Sequence, residues 1–137
     1  MRSSALVFVV LSSASALAGA GPATSPKALG AEYTAQAGEG FRVSVERGRS
    51  LYASPRSARG TSRSCASCHA DDPRTPGRSA AGKTIEPLAP APSSTRFTDR
   101  AKSEKWFRRN CTEVLGRECT PAEKADLITY LLAAASS

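Results

Sequence analysis

Only one of the 137 residues is histidine, and only one is methionine, the initiator Met1. A lone imidazole excludes any site that needs two. No apolar run approaches the roughly 20 residues needed to span a bilayer, so no transmembrane anchor is expected. The formal net charge is +7, yet the basic residues are scattered and no run of five or more occurs. That pattern speaks against nucleic-acid binding. Strand alternation, internal repeats and long low-complexity tracts are absent as well, which leaves an all-α chain as the expected class.

What the chain does have is Cys65-Ala66-Ser67-Cys68-His69. Two thiols separated by two residues, followed at once by histidine, have the spacing for covalent attachment of c-type haem. Cys65 and Cys68 would form the thioethers and His69 would be the proximal iron ligand. Two other readings compete. Cys65, Cys68, Cys111 and Cys119 could make a four-cysteine zinc site, but this leaves His69 unexplained and the second pair badly spaced. A thioredoxin-like dithiol expects a long helix after the motif, whereas Asp71, Asp72, Pro73, Pro76 and Gly77 stop one.

Haem attachment of this kind follows export, and the N-terminus reads as an export signal. Met1-Arg2 is a short basic region, Ala5 to Leu11 an apolar one, and Ala16-Leu17-Ala18 a small-residue cleavage box. Residues 1–18 are therefore expected to be a signal peptide cleaved after Ala18 or Ala20, and residues 19–137 a single haem-binding domain in the periplasm. The basic balance then suits docking to an acidic redox partner, or simply a solvated surface.

Helix signals are clear in four places. Ser25-Pro26 starts a helix that stops at Gly38, and a second begins near Ser44. In the second, Val45, Gly48, Leu51 and Tyr52 share a face. Glycine inside a helix costs roughly 1 kcal/mol relative to alanine, so another helix is expected to cross closely at Gly48. Ser54 to Ser64 reads as a basic loop. Asp71 to Thr95 reads as a long segment lying along the porphyrin edge, with Ile85, Pro87 and Leu88 as its apolar content. Thr98 or Asp99 opens a third helix through Arg109, carrying Trp106 and Phe107, before a short turn ended by Gly116. Thr120-Pro121-Ala122-Glu123 is a capping box, and Leu127, Ile128 and Leu131 form a stripe expected to pack across the second helix.

The far side of the iron is the harder question. Most single-haem carriers place methionine or a second histidine there, and with Met1 leaving in the leader neither is at hand. Asn110, a lysine, a tyrosine, a free cysteine, a terminal amine, water or no ligand remain. Cys111 and Cys119 read better as a disulfide, because the compartment oxidises thiols and the haem motif uses the other pair. An amide oxygen is a hard, weak donor that suits ferric better than ferrous iron, so its bond should loosen on reduction.

The segments Gly82 to Pro90, Arg96-Phe97-Thr98-Asp99, Glu104-Lys105-Trp106, Arg109-Asn110-Cys111, Gly116 to Pro121 and Glu123 to Leu127 closely resemble the sphaeroides haem protein family of oxygen-binding monohaem cytochromes c. The likeness covers nearly all of the chain after the leader. It implies a class I cytochrome c fold around one covalent haem c, with Asn110 as distal ligand of ferric iron that detaches on reduction. The family's disulfide maps onto Cys111 and Cys119. The likeness also implies a dihaem cytochrome c as redox partner, alongside a membrane cytochrome b. The N-terminal half departs more, notably at Arg56 to Arg63.

The expected function is thus a periplasmic haem protein that accepts electrons and, once reduced, opens its iron to a diatomic such as oxygen or nitric oxide. Trp106, Ile85 and Leu88 are the expected pocket residues. Lys83, Arg96 and Lys102 are candidate propionate partners, with solvated side chains as the default. The rival is a plain electron-transfer cytochrome whose iron stays closed. An enzyme would need a distal acid or base that no second histidine supplies, leaving Asp or Glu.

Overall fold

Each long helix begins where a side-chain oxygen accepts one of the backbone amides that the first turn leaves free. In the computed structural model, which describes residues 23–137, Ser25 caps α1 (Pro26–Gln36) and Ser44 caps α2 (Val45–Ala53). Asp99 caps α4 (Arg100–Leu115) and Thr120 caps α5 (Pro121–Ala135). The Thr120 cap is reciprocal, since the Glu123 carboxylate accepts the Thr120 amide at 2.8 Å. One short helix, α3 (Ala66–His69), carries the Cys-x-x-Cys-His motif. The expected leader, with its cleavage after Ala18 or Ala20, lies outside the described residues. No described helix is long and apolar enough to cross a membrane.

Helix α5 is the hub, packing against both α1 and α2. Gly48 explains the second contact: a Cβ there would stand 2.1 Å from the Asp126 carbonyl oxygen, so only glycine lets the backbones approach. The crossing expected from Gly48 is present. The Asp126 side chain fastens it, accepting hydrogen bonds from Arg47 Nε at 2.7 Å and the Ser44 amide at 2.7 Å. Tyr33, Tyr52, Leu29, Ile128 and Leu131 form the fully buried centre. From α4, Phe107 enters edge-on to Tyr33, with ring centres 5.7 Å apart.

Three local expectations change. Ser54 to Ser64 is mostly a hairpin, β1 (Arg56–Ala58) and β2 (Thr61–Arg63), with Arg56 opposite Arg63. Its two-residue turn places Arg59 at φ 52° and Gly60 at φ 76°, the double left-handed geometry that matches strand twist. Residues 71–95 are likewise not structureless, because β3 (Gly77–Arg78) pairs with β4 (Thr84–Ile85). Both hairpins are too short for alternation to show in sequence. Finally, α4 does not break after Arg109. It contains no proline or glycine and runs to Leu115, where Gly116 ends it at φ 73°.

Candidate haem site

The motif turn is organised by two serines. The Ser64 amide donates to Ser67 Oγ at 3.0 Å and the Ser67 amide to Ser64 Oγ at 3.3 Å. The Cys68 and His69 amides then both donate to the Cys65 carbonyl, at 3.2 and 3.0 Å. A single helical turn results, with Cys65, Cys68 and His69 at the three- and four-residue spacings that share a face. Both thiols are free. Burial pushes the Cys65 thiol up to about 11, the reverse of the depressed value a reactive dithiol needs. Cys111 and Cys119 form a disulfide across a sequence separation of 8, which removes two ligands from the zinc reading. Among the described residues no group of three or more His, Cys, Asp or Glu side chains could hold a metal ion.

Burial, with the Arg96 guanidinium nearby, holds His69 below its ordinary pKa, which favours the neutral imidazole, the form with one unprotonated ring nitrogen to offer a metal. Its Nδ1 is buried with no hydrogen-bond partner. Arg96 is committed to the loop instead of standing free in solvent: Nε donates to the Pro87 carbonyl at 3.1 Å and Nη2 to the Glu86 carbonyl at 2.7 Å.

Immediately after His69 the chain leaves the helix abruptly. Ala70 has φ 64° and ψ 162°, a region otherwise populated by glycine and costing of order 1–3 kcal/mol for other residues. From α2, the hydroxyl of fully buried Tyr52 reaches the His69 carbonyl at 3.0 Å and the Ala70 carbonyl at 2.5 Å. From β3, Gly77 presses against the turn so closely that a Cβ would lie 2.0 Å from the Cys68 oxygen. A cleft of about 310 Å³ is lined by Cys68, Ala70, Gly77 and Thr84, among others.

Asn110 sits well inside α4. It is half-buried, and its amide has no hydrogen-bond partner among the described residues. Neighbouring Phe107 and Cys111 face the core. Trp106, one turn before Asn110, is 43% exposed, with the Arg109 guanidinium 5.5 Å from its ring. Leu88 packs against the core, whereas Ile85 is half-buried on β4 outside it. Sequence reasoning placed Tyr52 on an apolar face but missed its polar end. The available signal was Pro73: four residues after His69, it has no N–H for the His69 carbonyl.

Residues 38–131 match a family model described as "Domain of unknown function (DUF1924)". Cytochrome c-type protein SHP of Cereibacter sphaeroides is 47% identical over 119 residues, covering 83% of this chain and 91% of SHP.

The chain belongs to the SHP family of c-type cytochromes.

The structure of oxidised SHP, described as an oxygen-binding cytochrome c, superposes with a TM-score of 0.71 at 48% identity, covering 80% of this chain and 97% of that one. A solution structure of cytochrome c'' from Methylophilus methylotrophus, concerned with haem-ligand detachment, gives a TM-score of 0.69 at 35% identity, covering 78% and 91%. The fold is therefore that of an all-α cytochrome c, and the cofactor of this SHP-family chain is covalent haem c. The residues fit such a group. Two free thiols and a neutral imidazole with an unpartnered buried nitrogen stand on one turn, and haem c asks for that donor set.

Proposed function

We propose that residues 19–137, freed by cleavage after Ala18 or Ala20, act in the periplasm as a monohaem cytochrome whose distal ligand is released on reduction. Haem c supplies a one-electron iron couple and, where an axial position is open, a place for a diatomic such as oxygen or nitric oxide. Cys65 and Cys68 hold it through thioethers, and His69 binds the iron from one face. Asn110 offers its amide oxygen to the other face in the oxidised protein and withdraws on reduction, because a hard neutral donor loses its advantage at ferrous iron. Ile85, Leu88 and the exposed ring of Trp106 are the apolar side chains this reading places against the porphyrin.

The observation that carries this reading is that the Asn110 amide, inside α4, has no hydrogen-bond partner among the described residues, in a chain whose lone histidine is already in the motif and whose lone methionine is Met1. SHP is described as oxygen-binding, and cytochrome c'' is studied for haem-ligand detachment. Both support a weak, releasable ligand. The family resemblance supports a dihaem cytochrome c as redox partner, alongside a membrane cytochrome b.

Optical spectra of oxidised and reduced protein, with and without carbon monoxide, test the proposal in the native chain and in Asn110→Ala. The expected result is a carbon-monoxide shift of the reduced Soret band in both proteins and an altered ferric spectrum in the variant. An unchanged ferric spectrum removes Asn110 from the iron. A reduced native protein that ignores carbon monoxide is a plain electron carrier.

A further inference from the structure

The carbonyl of His69 faces an unusual shortage. In a continuing helix the amide four residues on would satisfy it, but that residue is Pro73, which has no N–H. The next carbonyl, that of Ala70, is turned out of the helix by a backbone at φ 64° and ψ 162°. Among the described residues the one donor to both is the Tyr52 hydroxyl, at 3.0 and 2.5 Å. Tyr52 cannot drift, since its ring is fully buried and lies 5.4 Å from that of Tyr130. One turn earlier on α2, Gly48 is in backbone contact with α5.

The geometry points to Tyr52 as a positioning residue for the axial histidine. Its hydroxyl holds Ala70 in a glycine-like conformation and thereby sets the direction from which the His69 ring leaves the turn. This rests on the reading of His69 as the iron ligand. Without the hydroxyl, Ala70 relaxes toward an ordinary backbone angle, the Ala70 peptide turns, and the imidazole is re-aimed although every apolar contact of the ring survives.

The test uses the reduced holoprotein and its iron–histidine stretching band in resonance Raman spectra. Tyr52→Phe is expected to shift and broaden the band. Tyr52→Phe with Ala70→Gly is expected to return it to the native position, because glycine adopts the same backbone angles unaided. An unmoved band in Tyr52→Phe overturns the proposal, even if its thermal midpoint falls, and so does a band still displaced in the double variant. If neither variant folds with haem, the hydroxyl proton of native Tyr52 decides by NMR. Slow exchange with coupling to the His69 or Ala70 carbonyl carbon supports the proposal, and free exchange overturns it. Absence of an iron–histidine band from the native protein is a separate outcome: it marks a six-coordinate ferrous iron and counts against distal-ligand release, and the Tyr52 hydroxyl proton then decides by NMR in the same way.

Discussion

Around His69 the chain closes from several directions: a serine pair winds the turn, Gly77 lies against its backbone, and Tyr52 ties down the two carbonyls that follow. Around Asn110 the backbone is equally secure, being mid-helix and next to a disulfide, yet the amide itself is tied to nothing among the described residues. The contrast lies in what is held. At His69 the surroundings specify a side-chain direction, whereas at Asn110 they specify only where an arm is rooted. A permanent axial ligand and a releasable one call for those two arrangements.

The contrast breaks most severely at Gly77. Alanine there brings a Cβ to 2.0 Å from the Cys68 oxygen. Gly77→Ala is expected to lose about 3 kcal/mol by overpacking and to lower haem incorporation, read by urea unfolding and by the ratio of Soret to protein absorbance. A variant with native stability would mean that the turn yields easily and is not gripped.

The root of the distal arm is tested next. Replacing Cys111 and Cys119 by serine removes a short cross-link worth about 2 to 3 kcal/mol on the chain-entropy model, measured by urea unfolding. If Asn110 depends on a fixed backbone, the ferric spectrum of that variant should also broaden.

A smaller effect is expected where α4 is anchored upstream. Burial alone would raise the pKa of Glu104, but hydrogen bonds from Lys124 Nζ at 2.7 Å and the Tyr33 hydroxyl at 2.6 Å outweigh it and hold the carboxyl below its ordinary value. A lowered folded-state value contributes stability above the unfolded pKa, about 4.3. That contribution disappears as pH falls through the folded value. Glu104→Gln should therefore lose about 1 kcal/mol at neutral pH, after allowance for partial exposure, and differ less from the native protein below about pH 4. Urea midpoints against pH provide the check.

The smallest expected change is the most discriminating. In the reduced protein, where the proposed iron bond is already released, Asn110→Ala should alter stability by no more than about 0.5 kcal/mol, because the amide makes no hydrogen bond among the described residues and alanine is the better helix former. A loss above about 1 kcal/mol in thermal or urea unfolding would show a structural amide, and the contrast with His69 would vanish.

Much of the frame was legible from single residues. Ser25, Ser44, Asp99 and Thr120 start the long helices as expected, and Gly48 marks the close crossing of α2 and α5. These signals are local: a cap needs only its own first turn, and a glycine within an apolar face reports a missing side chain. The β1–β2 hairpin was not legible, because Arg-Gly is a weak turn signal and Arg56 opposite Arg63 sets like charges against each other. The unbroken run of α4 through Asn110 was missed because asparagine is ordinarily a capping residue, and packing of Phe107, Cys111 and Val114 overrides that preference.

Chain chemistry alone decided which donors this protein owns: two thiols on one turn, one imidazole, and neither a second histidine nor a methionine after Met1. Composition is conserved on folding, so no arrangement of the backbone could have added another. Direction was left to the tertiary structure. Where the His69 ring points depends on a hydroxyl from α2 reaching past a proline to hold Ala70 at a backbone angle its own residue type disfavours, and such a contact exists only once distant helices have packed.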